Sequence, residues 1–380
     1  MDVATIVVFF VVLWLPTIDS FTGIDATRPP DENRLPAVWP RLQHWSNADA
    51  QRFLAGAEAY FNDHFGFRKR LIRWSQQWKS RLFRDESGHK VIIGKQGWLY
   101  TGELQMVEHF MGIARFTPAE LQAWQKVLEK RRDWLAARGI KYLFVVAPDK
   151  QDIYPENLPD WLLGAAKPGR ETKLDQFLKY MKEHSSVAIA DLRPALLAAK
   201  PMAPLYLVND LHWNTLGSFI AGQEVIRAIQ RQLPELPPLR LDDFTWTNQP
   251  TVGGDMARYL GREPVENNSF AFQLKTNLPP PRVQSLTPID TVWSRHILLT
   301  VTENDTAPNI RAVFFQDSFG VHWIKYFGQC FRGIFFMQER NEFNVRIIGE
   351  NQPQIVVNEM LERYFNTQDP DELLAKDALP

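Results

Sequence analysis

The sequence predicts an α/β protein: a parallel β-sheet with helices on both faces and an irregular insertion over residues 234–295. Three observations predict it. Short apolar runs recur along the chain and alternate with longer amphipathic stretches, which is the pattern of strand–helix repeats. Several runs stop abruptly at polar, chemistry-bearing residues, as strands do at the carboxyl rim of a parallel sheet. The alternation breaks once, in a Pro-rich tract, and then resumes.

Val3 to Leu15 is almost wholly Val, Ile, Phe, Leu and Trp and is ended by Pro16. A spanning helix needs about 20 apolar residues, so the run is closer to the apolar core of a signal peptide. Met1-Asp2 supplies no basic flank, and no small-x-small cleavage site follows. Residues 1–18 therefore read as an export signal or membrane anchor, with a buried N-terminal strand or helix as the alternative. Residues 19–48, rich in Pro and charge, read as a linker, and a single domain is expected over 49–365 with 366–380 as a tail.

Ala50 to Phe83 has helical spacing, with Leu71, Trp74, Trp78 and Leu82 on one stripe and Arg68, Lys69, Arg70, Arg73, Lys79, Arg81 and Arg84 around it. Such a stretch either touches an anionic surface or is a packed helix with a solvated face, and the second is the commoner case. Val91 to Tyr100 reads as two short strands about a Gly-marked turn. Thr117-Pro118-Ala119-Glu120 is a capping box that starts a helix running to about Arg138, where Gly139 ends it. Ile140 to Val146 is then a strand, leaving Asp149 at its end. A helix (Arg170 to His184), a strand (Val187 to Leu192), a short helix (Pro194 to Ala199), a strand (Leu205 to Val208) and a helix (Thr215 to Gln232) follow. After the insertion, Ala312 to Phe315, Gly333 to Met337 and Ile355 to Val357 are strands.

Composition narrows the function. A net charge of −1 implies no general attraction to nucleic acid. Cys330 is the only cysteine, which excludes intramolecular disulfides and Cys-based zinc sites. Thirteen Trp and 25 Phe suit a large core and also a cleft that stacks on sugar rings.

Two short segments carry the chemistry. Asp210-Leu211-His212-Trp213-Asn214 offers a carboxylate and an imidazole two residues apart, which point the same way in extended backbone. Phe314-Phe315-Gln316-Asp317-Ser318-Phe319-Gly320 ends an apolar run in a serine at a strand end. A serine hydroxyl is a weak nucleophile until a base takes its proton and a third group orients that base. Ser318 is thus the candidate nucleophile, His212 the base and Asp210 the orienting acid. Taken singly they read as a helix cap, a core histidine and a turn carboxylate; their conjunction at two strand ends is the more specific signal. His322, four residues after Ser318, is a competing base that lacks an adjacent carboxylate. Asp-x-His can ligate metal, but no dense His/Asp cluster accompanies it in sequence. Donors for an oxyanion or substrate would come from the Ser318 N–H, the Gly253-Gly254 backbone, Asn214 or Arg258, with Trp213 beside them.

Several landmarks in order resemble the SGNH-type O-acetyltransferases of alginate and exopolysaccharide O-acetylation, the AlgJ/AlgX-like group. They are Tyr60-Phe61-Asn62-Asp63-His64-Phe65-Gly66-Phe67-Arg68, Ile93-Gly94-Lys95-Gln96-Gly97-Trp98-Leu99-Tyr100, and Val146-Ala147-Pro148-Asp149-Lys150 with Ile153-Tyr154-Pro155-Glu156. Asp210-Leu211-His212-Trp213, Gly254-Asp255-Met256-Ala257-Arg258, Asp317-Ser318-Phe319-Gly320 and Glu359-Met360-Leu361-Glu362-Arg363 complete them. The usual Gly-Asp-Ser block of such proteins reads Gln316-Asp317-Ser318 here.

The resemblance implies a circularly permuted SGNH hydrolase-like fold with a triad of Asp210, His212 and Ser318. It also implies a periplasmic enzyme tethered to the inner membrane by its N-terminal segment. That enzyme would O-acetylate an exopolysaccharide, with a polytopic membrane acyltransferase as acetyl donor and no cofactor. A carbohydrate esterase using water with the same triad is the near alternative. A non-catalytic polysaccharide-binding subunit of an export complex is the distant one. Glu359 and Arg363, at i and i+4, are expected to pair.

Overall fold

The computed structural model describes residues 3–24, 37–41, 47–67, 70–71, 91–166, 169–262, 266–275, 278–286, 298–339, 341–377 and 379. The chain divides into two compact units, residues 1–85 and 86–380. The first contains helices Val3–Thr22 and Asn47–His64. The apolar run and Pro16 are therefore helical, and the expected linker begins inside this helix. The helix expected over 50–83 is present as Asn47–His64, and residues 72–90 lie outside the described residues. No helix among the described residues is long and apolar enough to cross a membrane.

The second unit holds the sheet. β1 (Val91–Ile93) and β2 (Leu99–Thr101) form the hairpin expected around the Gly-marked turn. The insertion supplies four short strands in two antiparallel pairs. β5 (Phe244–Asn248) pairs with β8 (Phe270–Leu274), and β6 (Thr251–Val252) pairs with β7 (Glu266–Asn267). The main sheet is built from β3 (Lys141–Ala147), β4 (Ile189–Asp191), β9 (Arg282–Leu286), β10 (Leu298–Glu303), β11 (Arg311–Gln316), β12 (Gly333–Gln338) and β13 (Ile355–Leu361). Its order is β4-β3-β13-β11-β12-β10-β9. The first five strands are parallel, and β10 and β9 add antiparallel.

Every residue of β13, and all but the first of β3 and β11, is buried. Strands buried on both faces need cover on both, and the near-continuous apolar runs are its sequence signature. Pairing Leu361 with Ala147 and Ala312 with Ile355 aligns the carboxyl ends of β3, β13 and β11 along one rim. That rim releases Asp149, Glu362 and Ser318 from neighbouring strands.

Helix Pro118–Ala136 begins at the expected capping box, with Thr117 Oγ1 accepting the Glu120 N–H. Thr172 and Asp175 form a second box ahead of helix Lys173–His184.

Three differences from the sequence reading have clear causes. Leu205–Val208 joins no sheet. It folds back on its own continuation through a single Tyr206–Trp213 bridge, so Asp210 sits on a tight turn and not at the end of a parallel strand. The insertion, read as irregular, also feeds the main sheet, because β9 completes its edge against β10. Residues 366–377 are not a loose tail. Pro370–Lys376 is helical, and Arg131, fully buried, donates to Asp377 at 2.7 and 2.8 Å and to Asn341 at 2.7 Å. A buried guanidinium needs such partners, and they clamp the C-terminal segment onto helix Pro118–Ala136.

Candidate active site

Ser318 lies two residues beyond the end of β11. Its neighbour Asp317 is fully tied into the fold: Oδ1 accepts the Phe319 N–H and Oδ2 the Leu361 N–H, both at 2.8 Å, while its own N–H donates to Glu359 Oε2 at 2.8 Å. A turn this constrained fixes where the Ser318 side chain points. The Gln316 side chain and Gly320 close it from behind. A Cβ on Gly320 would stand 2.6 Å from Gln316 Cβ, so only glycine fits. Gln316 occupies the strand-end position where Gly-Asp-Ser proteins carry glycine, and the accommodation falls on Gly320.

The second half of the site is the turn Leu207–His212. Its neck is closed by the Leu207 N–H donating to the His212 carbonyl (3.1 Å) and the Asn214 N–H donating to Leu205 (2.8 Å). Asp210 Oδ1 accepts from the His212 backbone N–H at 2.9 Å and lies 2.7 Å from His212 Nδ1. Asp210 Oδ2 accepts the Asp255 N–H at 2.9 Å. His212 Nε2 lies 2.8 Å from Ser318 Oγ. The structure thus brings Asp210, His212 and Ser318 into one hydrogen-bonded line, each with its polar end only partly exposed.

Electrostatics suit that line. Burial works to raise the Asp210 pKa. Hydrogen bonds from the His212 ring and backbone and from the Asp255 N–H outweigh it and hold the carboxyl below the usual range. A fixed anion beside Nδ1 favours a proton there and leaves Nε2 to accept from a hydroxyl. The competing base, His322, has its ring centroid 6.5 Å from that of His212. Burial, then the neighbouring His212 and Lys325, lowers its pKa to about 4. It stands beside the line as a neutral ring.

The remaining sequence candidates divide. Gly253 and Gly254 have φ of +103° and +137°, and a Cβ on Gly254 would meet the Asn209 carbonyl at 2.3 Å. They are glycines because this turn presses against the residue preceding Asp210, and it is the next N–H, that of Asp255, which reaches the Asp210 carboxylate. Asn214 belongs to the fold: Oδ1 caps helix Thr215–Gln230 through the Gly217 N–H, and Nδ2 donates to Pro204 and Asn268 carbonyls. Both amide hydrogens are thereby committed. Trp213 is fully buried, so it offers no face to a sugar; its Nε1 donates to the Phe319 carbonyl. Arg258 is partly exposed and ion-paired with Asp255 at 3.6 Å. The Ser318 N–H has no acceptor among the described residues and remains available to an oxyanion.

Glu359 and Arg363 do not pair. Strand β13 ends at Leu361, so helical i, i+4 spacing does not apply. Glu359 turns to Asp317, and Arg363 binds the buried Asp149 carboxylate.

Among the described residues two groups of donors lie close enough to share a cation: Asp210, His212 and Asp255, and the buried His109 and Glu362 with the partly buried Asp152. Neither was visible as a sequence cluster, since Asp255, His109 and Glu362 each come from separate elements.

A parallel sheet carrying an Asp–His–Ser line at its carboxyl rim defines an SGNH hydrolase-like α/β protein. The family model described as "SGNH hydrolase-like domain, acetyltransferase AlgX" matches residues 91–286, just over half the chain, and the chain belongs to that family. Asp210 and His212 lie inside the matched segment and Ser318 beyond it.

Among similar proteins, the probable alginate O-acetylase AlgJ of Pseudomonas syringae pv. tomato is 28% identical over 225 residues, 57% of this chain and 53% of that protein. Its counterpart in Pseudomonas aeruginosa is 30% identical over 183 residues, 46% and 42% of the two chains. The chain thus spans about half the length of the relatives it matches. Of solved structures, Bacillus cereus PatB1 superposes with a TM-score of 0.54 at 15% identity, covering 75% of this chain and 100% of that one. A DHHW family protein from Eubacterium siraeum gives 0.51 at 16% identity, covering 77% and 100%. At these identities the likeness is one of fold.

Proposed function

We propose that the chain is an O-acetyltransferase that moves acetyl groups onto hydroxyls of an exported polysaccharide of the alginate class. One observation carries the reading: the unbroken line from Asp210 Oδ1 through His212 to Ser318 Oγ, with steps of 2.7 and 2.8 Å. Those are the distances general-base activation of a hydroxyl requires.

In the first half-reaction His212 Nε2 takes the Ser318 proton as Oγ attacks the acetyl carbonyl carbon. The tetrahedral oxyanion is met by the Ser318 N–H. Collapse breaks the bond to the donor, whose leaving atom takes the proton back from Nε2, and acetyl-Ser318 remains. In the second half-reaction a sugar hydroxyl gives its proton to Nε2 and attacks the acetyl ester. The carbon–Oγ bond breaks and Oγ recovers the proton. Asp210 remains an anion throughout, orienting the ring and stabilising the imidazolium.

Family membership and the relatives' names, alginate O-acetylases, support a polysaccharide acceptor. An acetyl group supplied by a polytopic membrane acyltransferase, and a periplasmic location with the N-terminal segment at the inner membrane, complete the proposal. The test offers the full chain a chromogenic acetyl ester with and without oligomannuronate. Acetyl on the oligosaccharide, lost in Ser318→Ala, supports transfer. Acetate release alone, unaffected by acceptor, makes the protein an esterase. Full turnover by Ser318→Ala overturns the mechanism.

A further inference from the structure

Lys150, fully buried, opens the short helix after β3, and no carboxylate among the described residues hydrogen-bonds to it. Its Nζ lies 2.7 Å from the Leu99 carbonyl, 2.7 Å from Leu207, 2.9 Å from Val208 and 2.9 Å from Asp210. Four carbonyls share three N–H donors. Trp98 and Tyr100 present their rings to the same ammonium at 4.8 and 5.1 Å.

Three of those carbonyls belong to one curl of chain, the turn that carries Asp210 and His212. Carbonyl dipoles at 207, 208 and 210 pointing at one spot repel each other unless a cation sits there. The curl's neck is the Leu207–His212 hydrogen bond, and its outer wall is fixed by the Leu99 N–H donating to Val208 at 2.9 Å. Lys150 fills the space between. Its length explains the choice of residue: the stem starts from the short helix Lys150–Ile153 that follows β3, and an unbranched chain ending in a compact three-donor cation reaches the centre of the turn.

We propose that Lys150 is a positioning residue for the reaction: its ammonium holds the 207–210 curl closed and so keeps the Asp210–His212 pair aimed at Ser318. The assignment rests on the triad reading given above. Burial pushes the Lys150 pKa well below the ordinary lysine value and the Asp210 charge acts against that; the four converging carbonyls, which can only accept, are what favour the three-donor ammonium. The cost of an uncompensated buried charge explains why the carbonyls must converge as they do.

The test compares Lys150→Met, which keeps the stem and removes the cation, with Lys150→Gln, which keeps two N–H donors without charge. Three readouts are taken on the full chain: cooperative thermal melting, turnover of a chromogenic acetyl ester, and the downfield proton resonance of His212 Nδ1–H against Asp210. The expected result is a folded Lys150→Met whose kcat falls about 10²-fold with KM little changed, as for a displaced catalytic group. Its downfield resonance is lost, and Lys150→Gln recovers part of both signals.

A folded Lys150→Met that keeps the resonance and turns over within about threefold of the parent overturns the proposal and leaves Lys150 a strut of the β1–β2 hairpin. Failure of both variants to fold also overturns it, since the ammonium then supports the whole unit and not the turn. Ser318→Ala in parallel separates the two claims. If it abolishes turnover while Lys150→Met does not, only the positioning role falls; if it retains turnover, the triad reading fails first.

Discussion

The indole N–H of Trp213 donates to the carbonyl of Phe319 at 3.2 Å, so the residue after the base is bonded to the residue after the nucleophile. Their rings also pack edge to face at 4.9 Å, and the Phe319 ring lies 4.9 Å from that of His212. The halves of the site are over a hundred residues apart in sequence and meet through this pair as well as through the reacting atoms. Trp213→Phe keeps most of the packing and leaves the Phe319 carbonyl without its donor, a loss of about 1–3 kcal/mol. Turnover should drop about tenfold or more as the His212–Ser318 alignment loosens. A melting curve and kcat measured together check this, and an unchanged kcat in a destabilised variant contradicts the coupling.

Gly254→Ala should damage the site from behind. Its φ of +137° disfavours any side chain, at about 1–3 kcal/mol, and the new Cβ meets the Asn209 carbonyl. Asn209 precedes Asp210, so activity should fall further than stability. Gly97→Ala is the control: its φ is +81° but nothing lies within 4 Å of the added carbon. It should lose stability and retain activity per folded molecule.

Glu359 provides a pH test. Burial, and then the facing Asp317 charge, raises its pKa well above 4.5. The folded state therefore holds this proton more tightly than the unfolded state does. Its stabilising effect is complete below the unfolded pKa and is lost as pH rises from there toward the folded value. Each pH unit in that window removes up to about 1.4 kcal/mol. Glu359→Gln keeps an acceptor for the Asp317 N–H and cannot ionise. Its melting temperature relative to the parent should climb as pH rises above the unfolded glutamate range. A difference that is flat or falls with pH contradicts a protonated Glu359 beneath the nucleophile.

Much of this arrangement was legible in the sequence, and what was not has physical reasons. β3, β11 and β13 announce themselves because strands buried on both faces are mostly apolar, and the run read in β13 stops at Val357 where the buried Asn358 and Glu359 begin. Ser318 and the Asp210–His212 spacing are readable because an activated hydroxyl needs those groups, although only Ser318 follows a sheet strand and the pair sits on a turn. Leu205–Val208 has the composition of a sheet strand but pairs only with its own return, a long-range choice that local composition does not encode. Trp213 and Asn214 sit in the motif yet face inward, because direction is set by packing on Phe319 and by the helix cap. Lys150 and Glu359 gain their roles from chain segments far away, and nothing in their flanking residues reports the partners. The segment after 365 reads as a tail, and its hold on the fold comes from distant partners such as the buried Arg131 and Asn341.

That clamp can be broken. Asp377→Ala removes the carboxylate that receives two hydrogen bonds from the buried Arg131 guanidinium. Leaving that charge unpaired should cost about 3–5 kcal/mol of unfolding free energy. Denaturant titration reads the loss, and the folded fraction should turn over normally because the clamp touches no reacting group. A loss within the error of the titration contradicts a clamped C-terminal segment.

The most direct measurement is mass spectrometry of the protein quenched during turnover of an activated acetyl ester, followed by peptide mapping. The account predicts one acetyl group, carried by Ser318, absent in Ser318→Ala, and no longer formed at a comparable rate when His212 is replaced by Ala. Acetyl on another side chain, or steady turnover with Ser318 replaced, would contradict it.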